Sequence, residues 1–197
     1  MKYPLPFSIP FGLKPVITQP YGDTSAVAWY KEHGLNLTAH NGIDYCVGDS
    51  IQTYGTPLVC PFPKADLSKT WWENPMSTSG NGIQIGFEEG NDRYLVRFWH
   101  CSDIVTQGIY KEKDIIGYIG NSGLVRPAPT PQKPFDGSHL HLMVFKNNVL
   151  IDPLEIFDKD KWFTSEDTGV EKDLSPLFWA LNYAKEQFKK LLGLLST

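Results

Sequence analysis

The sequence is short of cysteine, of basic charge and of long apolar runs, and each shortage removes a class of protein. Three cysteines, Cys46, Cys60 and Cys101, cannot close a disulfide framework, and there is no CxxC pair. They read as small buried hydrophobes kept in a reducing compartment. Eighteen Lys and Arg against 22 Asp and Glu give a net charge of -4, so the chain lacks the basic footprint that nucleic acid demands. No apolar stretch reaches the roughly 20 residues of a membrane-spanning helix. The N-terminal segment carries Lys2 but is broken by Pro4, Pro6, Pro10 and Pro15, and is not expected to be a signal peptide. Synthesis in the cytoplasm without an evident leader is the expectation.

What is present is a globular composition, with 41% hydrophobic and 20% charged residues, which excludes a disordered or collagen-like chain. The length of 197 residues suits one well-packed domain with an appendage. Fifteen prolines and 17 glycines favour short strands joined by many turns over a helical bundle.

The patterning agrees. Ile83–Phe87 and Tyr94–Phe98 alternate apolar and polar residues on either side of a Glu89-Gly90-Asn91-Asp92 turn, which predicts a β-hairpin. Asp114–Ile119 and Leu140–Phe145 supply further strands, so the fold expected is mainly β and antiparallel. Residues 61–80, with Trp71 and Trp72, and residues 123–137, with four prolines, read as long loops of the kind that wall a groove. A domain is expected over 1–157, a charged linker over 158–174, and a helix over 175–197. In that helix Leu177, Leu181, Ala184, Phe188, Leu191 and Leu195 form an apolar stripe behind a Ser175-Pro176 start. The stripe suits docking or self-association.

Of five histidines, four sit in contexts that suit one metal site. In a strand, His139 and His141 face one way while Leu140 and Leu142 face the other. Two imidazoles so placed can both bind a metal, or one can bind while the other handles protons. In His40-Asn41-Gly42-Ile43-Asp44, the Asn-Gly pair signals a turn into a strand, letting His40 and Asp44 converge. Two imidazoles and a carboxylate are a common ligand set for catalytic zinc, with a fourth position left to water. His100, the last residue of a strand Tyr94–His100 and on the same face as Tyr94, Val96 and Phe98, is the candidate fourth histidine at the rim of a cleft. His33 has no such context and is expected at the surface.

These residues, in order, resemble the lysostaphin/LytM-type zinc endopeptidases of peptidoglycan. The resemblance runs from about Ile17 to Phe157. Ile17–Gly22 resembles the family's opening strand, and His40-Asn41-Gly42-Ile43-Asp44 its HxGxD motif. Gly55–Val59 is similar to the stretch that follows it. Phe98-Trp99-His100 resembles its aromatic strand ending in histidine, residues 108–123 its glycine-punctuated hairpin, and His139-Leu140-His141 its HLH motif. The resemblance implies a LytM-type β-sheet sandwich (a duplicated hybrid motif) with long loops around a groove. It implies one zinc ion on His40, Asp44 and His141, with His139 and His100 flanking the water as general base and transition-state stabiliser. It further implies hydrolysis of peptide cross-links or stem peptides, at the bacterial wall, as a phage lysin, a virion-associated hydrolase or a secreted enzyme. Residues 124–137 are an insertion relative to the family. A zinc-holding scaffold or wall-binding protein without turnover is the competing reading. A biotinyl- or lipoyl-type carrier would leave the histidines unexplained.

Overall fold

Glycine and proline punctuate the chain into thirteen short strands in the computed structural model, which describes residues 2–71 and 78–169. The N-terminal part supplies β1 (Tyr3–Ile9), β2 (Pro15–Gln19), the six-residue helix α1 (Val27–Glu32) and β3 (Ile43–Val47). A single turn, α2 (Ser50–Thr53), follows, capped by Asp49, whose carboxylate accepts from the Gln52 amide. Next come β4 (Pro57–Val59) and β5 (Ala65–Trp71), then the hairpin of β6 (Gly82–Glu89) and β7 (Asp92–Trp99). Its two-residue loop opens on Gly90 at φ 62°, a conformation that suits glycine and the twist of a tight hairpin. β8 (Cys101–Ile104), β9 (Gly108–Tyr110) and β10 (Ile115–Ile119) precede a long loop. The chain then forms β11 (Leu140–Lys146), β12 (Val149–Ile151), a 3-10 turn (Pro153–Glu155), β13 (Phe157–Thr164) and the turn α3 (Ser165–Thr168).

The strands make two sheets. One runs β13-β1-β4-β10-β8, and the larger runs β2-β3-β11-β7-β6-β5-β9, with β12 paired to β11. A single apolar cluster takes side chains from both: Leu5, Phe7 and Leu58 from the small sheet, Ile83, Val96 and Leu142 from the large one. Phe7 meets Tyr45 edge-on at 5.4 Å across this layer. Each such aliphatic or aromatic side chain contributes about 1.5–3 kcal/mol by leaving water. Alternation therefore fixes which face of the large sheet is outside. Asp44, Trp99 and His141 have core residues as neighbours on both sides in sequence or register, and they project from the outer face.

Two expectations need correction. Residues 61–80 are not one loop: Ala65 and Leu67 are buried between exposed Asp66 and Ser68, and β5 pairs with β6 and β9. Trp72 lies outside the described residues. Nor does the chain leave the domain at residue 158, since Phe157 and Phe163 anchor β13 while its charged residues between 158 and 161 point outward. That strand pairs parallel with β1, the exception in an otherwise antiparallel pattern. Residues 123–137 carry no helix or strand, as expected. The helix expected over 175–197 lies outside the described residues, and among those described no helix is long and apolar enough to cross a membrane.

Candidate metal centre

The order β3-β11-β7 sets His141 directly opposite Asp44 on one side and Trp99 on the other. Residues paired in this way share a face and touch. Asp44 Oδ1 lies 2.8 Å from His141 Nδ1. His40 arrives from outside the ladder. Its amide donates to the Asp23 carbonyl (2.8 Å) and its carbonyl accepts from the Gly22 amide (2.9 Å), tying it to the segment after β2. From there its Nε2 stands 3.2 Å from Asp44 Oδ1 and 3.1 Å from His141 Nδ1. Gly42 makes the approach possible. A Cβ there would sit 2.6 Å from the Leu142 carbonyl and 2.8 Å from the His141 ring, so the chain can cross β11 this closely only without a side chain.

The protons are set by the surroundings. His40 Nδ1 lies 3.1 Å from the Pro20 carbonyl, which can only accept, so Nδ1 carries the hydrogen and Nε2 the lone pair. Burial disfavours the Asp44 carboxylate, but the hydrogen bond from His141 and the neighbouring imidazoles outweigh it and hold Asp44 well below the usual carboxylate range. Burial pushes the His141 imidazole down, favouring its neutral form. Two lone-pair-bearing atoms, His40 Nε2 and Asp44 Oδ1, thus crowd round the hydrogen on His141 Nδ1, which a metal would displace. Four-coordinate zinc, with bonds of about 2.0–2.1 Å, needs ligand atoms roughly 3.3 Å apart. Spacings of 2.8, 3.1 and 3.2 Å fit such an ion, and these three residues could hold it together.

His139 and His100 stand beside this trio. His139 Nδ1 donates to the Gly137 carbonyl at 2.7 Å, and its Nε2 is 3.8 Å from Asp44 Oδ2. His100 Nδ1 donates to the Ser122 carbonyl at 2.7 Å, and its ring centroid lies 4.5 Å from that of His139. Burial, then the neighbouring His139 and His141, push the His100 imidazole down to about 3. The carbonyls fix Nδ1 as the hydrogen-bearing nitrogen of both rings, so the neutral form of each presents its lone pair at Nε2. His100 does not continue β7. Strict alternation would send it to the core side with Phe98, but its backbone turns left-handed at φ 65° and swings the ring to the outer face. His33 is exposed, as expected.

The five residues lie in a groove of about 540 Å³. One wall is the stretch between β2 and β3, with Trp29 and Tyr30. The other is made by Ser79 and residues 124–126 of the long loop. The first wall was missed in the sequence; its only signal is the Trp29-Tyr30 pair between Gly22 and Gly34. Trp71 is no part of a loop. It caps β5 against Trp99, ring centroids 4.5 Å apart, under the Lys69 ammonium.

No family model matches the sequence, and no curated protein does. Solved structures do match. A zinc-containing peptidase from Vibrio cholerae superposes with a TM-score of 0.53 at 19% identity, over 78% of this chain and 40% of that one. A chain of the SpoIIQ–SpoIIIAH pore-forming complex gives 0.50 at 19% identity, over 78% and 93%. The catalytic domain of lysostaphin from Staphylococcus simulans gives 0.49 at 22%, over 72% and 90%. The fold is shared with the zinc-containing peptidase and with the pore-complex chain. At these identities the likeness is one of fold, and this chain spans 40% of the length of the Vibrio cholerae peptidase. In this instance of the fold the central strands carry Asp44, His141 and Trp99, and the loops flanking them make the walls.

Proposed function

We propose that the chain is a zinc-dependent endopeptidase that hydrolyses peptide cross-links or stem peptides of bacterial peptidoglycan. The carrying observation is the convergence of His40 Nε2, Asp44 Oδ1 and His141 Nδ1 beside two imidazoles that each present an Nε2 lone pair. When bound there, zinc lowers the pKa of a water to about 7 and polarises a carbonyl. His139 supplies the base: the Gly137 carbonyl fixes its tautomer, its Nε2 takes a proton from the attacking water, and the resulting imidazolium passes one to the leaving amine. His100, held neutral by burial, accepts a hydrogen bond at Nε2 and orients the water or the His139 imidazolium. The peptidase neighbours and the net charge of -4, which argues against nucleic acid, support the reading. Action at the cell wall, as a phage or virion lysin or a secreted enzyme, is part of the same proposal. So is surface docking or self-association through residues 175–197.

The test is peptide release from purified peptidoglycan, with zinc content measured in parallel. Cleavage that is lost with a chelator, restored by zinc and abolished in His139→Ala with its zinc retained is the expected result. Stoichiometric zinc with no cleavage would instead favour a metal-holding scaffold, a reading to which the fold's likeness to a pore-complex component lends weight.

A further inference from the structure

Outside the metal trio, the groove is lined by two formally charged side chains among the described residues, and they have opposite signs. Asp23 belongs to the wall after β2. Its carboxylate is held by the Gln19 amide at 3.0 Å and by the Ser25 backbone amide at 3.0 Å, with the Ser25 hydroxyl as a third donor at 2.5 Å. These hydrogen bonds, the Ser25 hydroxyl first, hold Asp23 below the usual carboxylate range. All its donors are neutral, so the negative charge is oriented but not cancelled.

Arg126 belongs to the opposite wall. It is exposed, and no acidic partner meets it among the described residues. Its backbone is nevertheless built into the fold. The Leu124 amide donates to the Thr78 carbonyl at 3.0 Å, and Val125 is 5% exposed beneath Gly137, where a Cβ would strike Val125 at 2.7 Å. Asn121 ties the far end of the same loop by donating to the Pro134 and Asp136 carbonyls. A guanidinium mounted on such a base offers a fork of donors that matches a carboxylate. The strand order places the two walls on either side of the metal trio, one beyond β3 and the other beyond β7.

We propose that Asp23 and Arg126 set the direction in which a peptide lies in the groove, Asp23 receiving a protonated amine and Arg126 a free carboxylate of the same substrate. The substrate class is then a peptide charged at both ends of the bound segment, and a doubly capped peptide is a poor ligand. This rests on the peptidase reading for its consequence but not for its measurement, because binding can be followed without turnover.

The experiment uses the full chain, with and without zinc, and an Ala-containing tetrapeptide in four forms: free, N-acetylated, C-amidated and capped at both ends. Titration is followed by tryptophan fluorescence, to which Trp29 and Trp99 in the groove contribute. Each cap is expected to weaken binding by about two- to fivefold, as for loss of an exposed ion pair. In Arg126→Gln the difference between acid and amide disappears while that between amine and acetyl remains. In Asp23→Asn the reverse holds. Equal affinity for all four forms, or unchanged discrimination in both variants, overturns the proposal. Discrimination that persists in a protein unable to cleave any peptide keeps the proposal and removes the hydrolase reading instead.

Discussion

Asp44 and His141 face each other across β3 and β11, carboxylate oxygen to ring nitrogen at 2.8 Å, each fixed by its place in the hydrogen-bond ladder. Two of the three donor atoms are thus set by strand register. Asp44→Ala should therefore lower zinc affinity by more than about 100-fold, beyond what loss of an outer-shell partner costs. Competition with a chromogenic chelator measures it. Near wild-type affinity in this variant would remove Asp44 from the site.

Gly42→Ala tests the crossing over β11. The added methyl would press on backbone and on the His141 ring, and overpacking of this kind costs about 1–3 kcal/mol. Both the thermal midpoint and zinc affinity should fall. If the variant melts and binds zinc as wild type does, the close approach is not real.

His100 gives a pH signature. Its folded-state pKa, pushed down to about 3, lies below the ordinary 6.5, so between these values the unfolded chain holds a proton that the folded chain refuses. Its contribution is complete above pH 6.5 and is lost as pH falls toward 3. Urea unfolding in chelator at pH 4 to 7 should show stability dropping with acid. In His100→Asn the slope should be shallower, by at most about 1.4 kcal/mol per pH unit. Identical slopes in the two proteins would contradict the buried neutral imidazole.

The thiols should be unequal. Burial pushes Cys60 up to about 11 and Cys101 up to about 12, while Cys46 is only half-buried. Native protein at pH 8 should react with an alkylating reagent slowly at Cys46 alone, and denatured protein at all three, as read by mass spectrometry. Fast native modification of Cys101 would contradict its place in the core.

The convergence of His40, Asp44 and His141 was legible because period-two alternation and the Gly42 turn act locally. His139-Leu140-His141 needs only the strand rule to present two imidazoles on one face, and the structure puts Leu140 in the core as that rule requires. Position 100 was named, but its route was not, because a left-handed backbone at a non-glycine residue leaves no mark in composition. β13 was hidden for a different reason. Asp158, Lys159, Asp160 and Lys161 resemble a solvated linker, and only the pairing of Phe157, Asp158 and Trp162–Thr164 with β1, more than 150 residues away, makes the segment a strand. The Trp29-Tyr30 wall was missed because six helical residues are too few to show a period.

His40 owes its position to two backbone hydrogen bonds with Gly22 and Asp23, whereas Asp44 and His141 sit inside a sheet bonded on both flanks. The cluster is half anvil and half clasp. An ion arriving there would fasten residues 20–40 onto a platform already rigid. Withdrawing it should speed amide exchange in that stretch first, leaving β7 and β11 as slow as before.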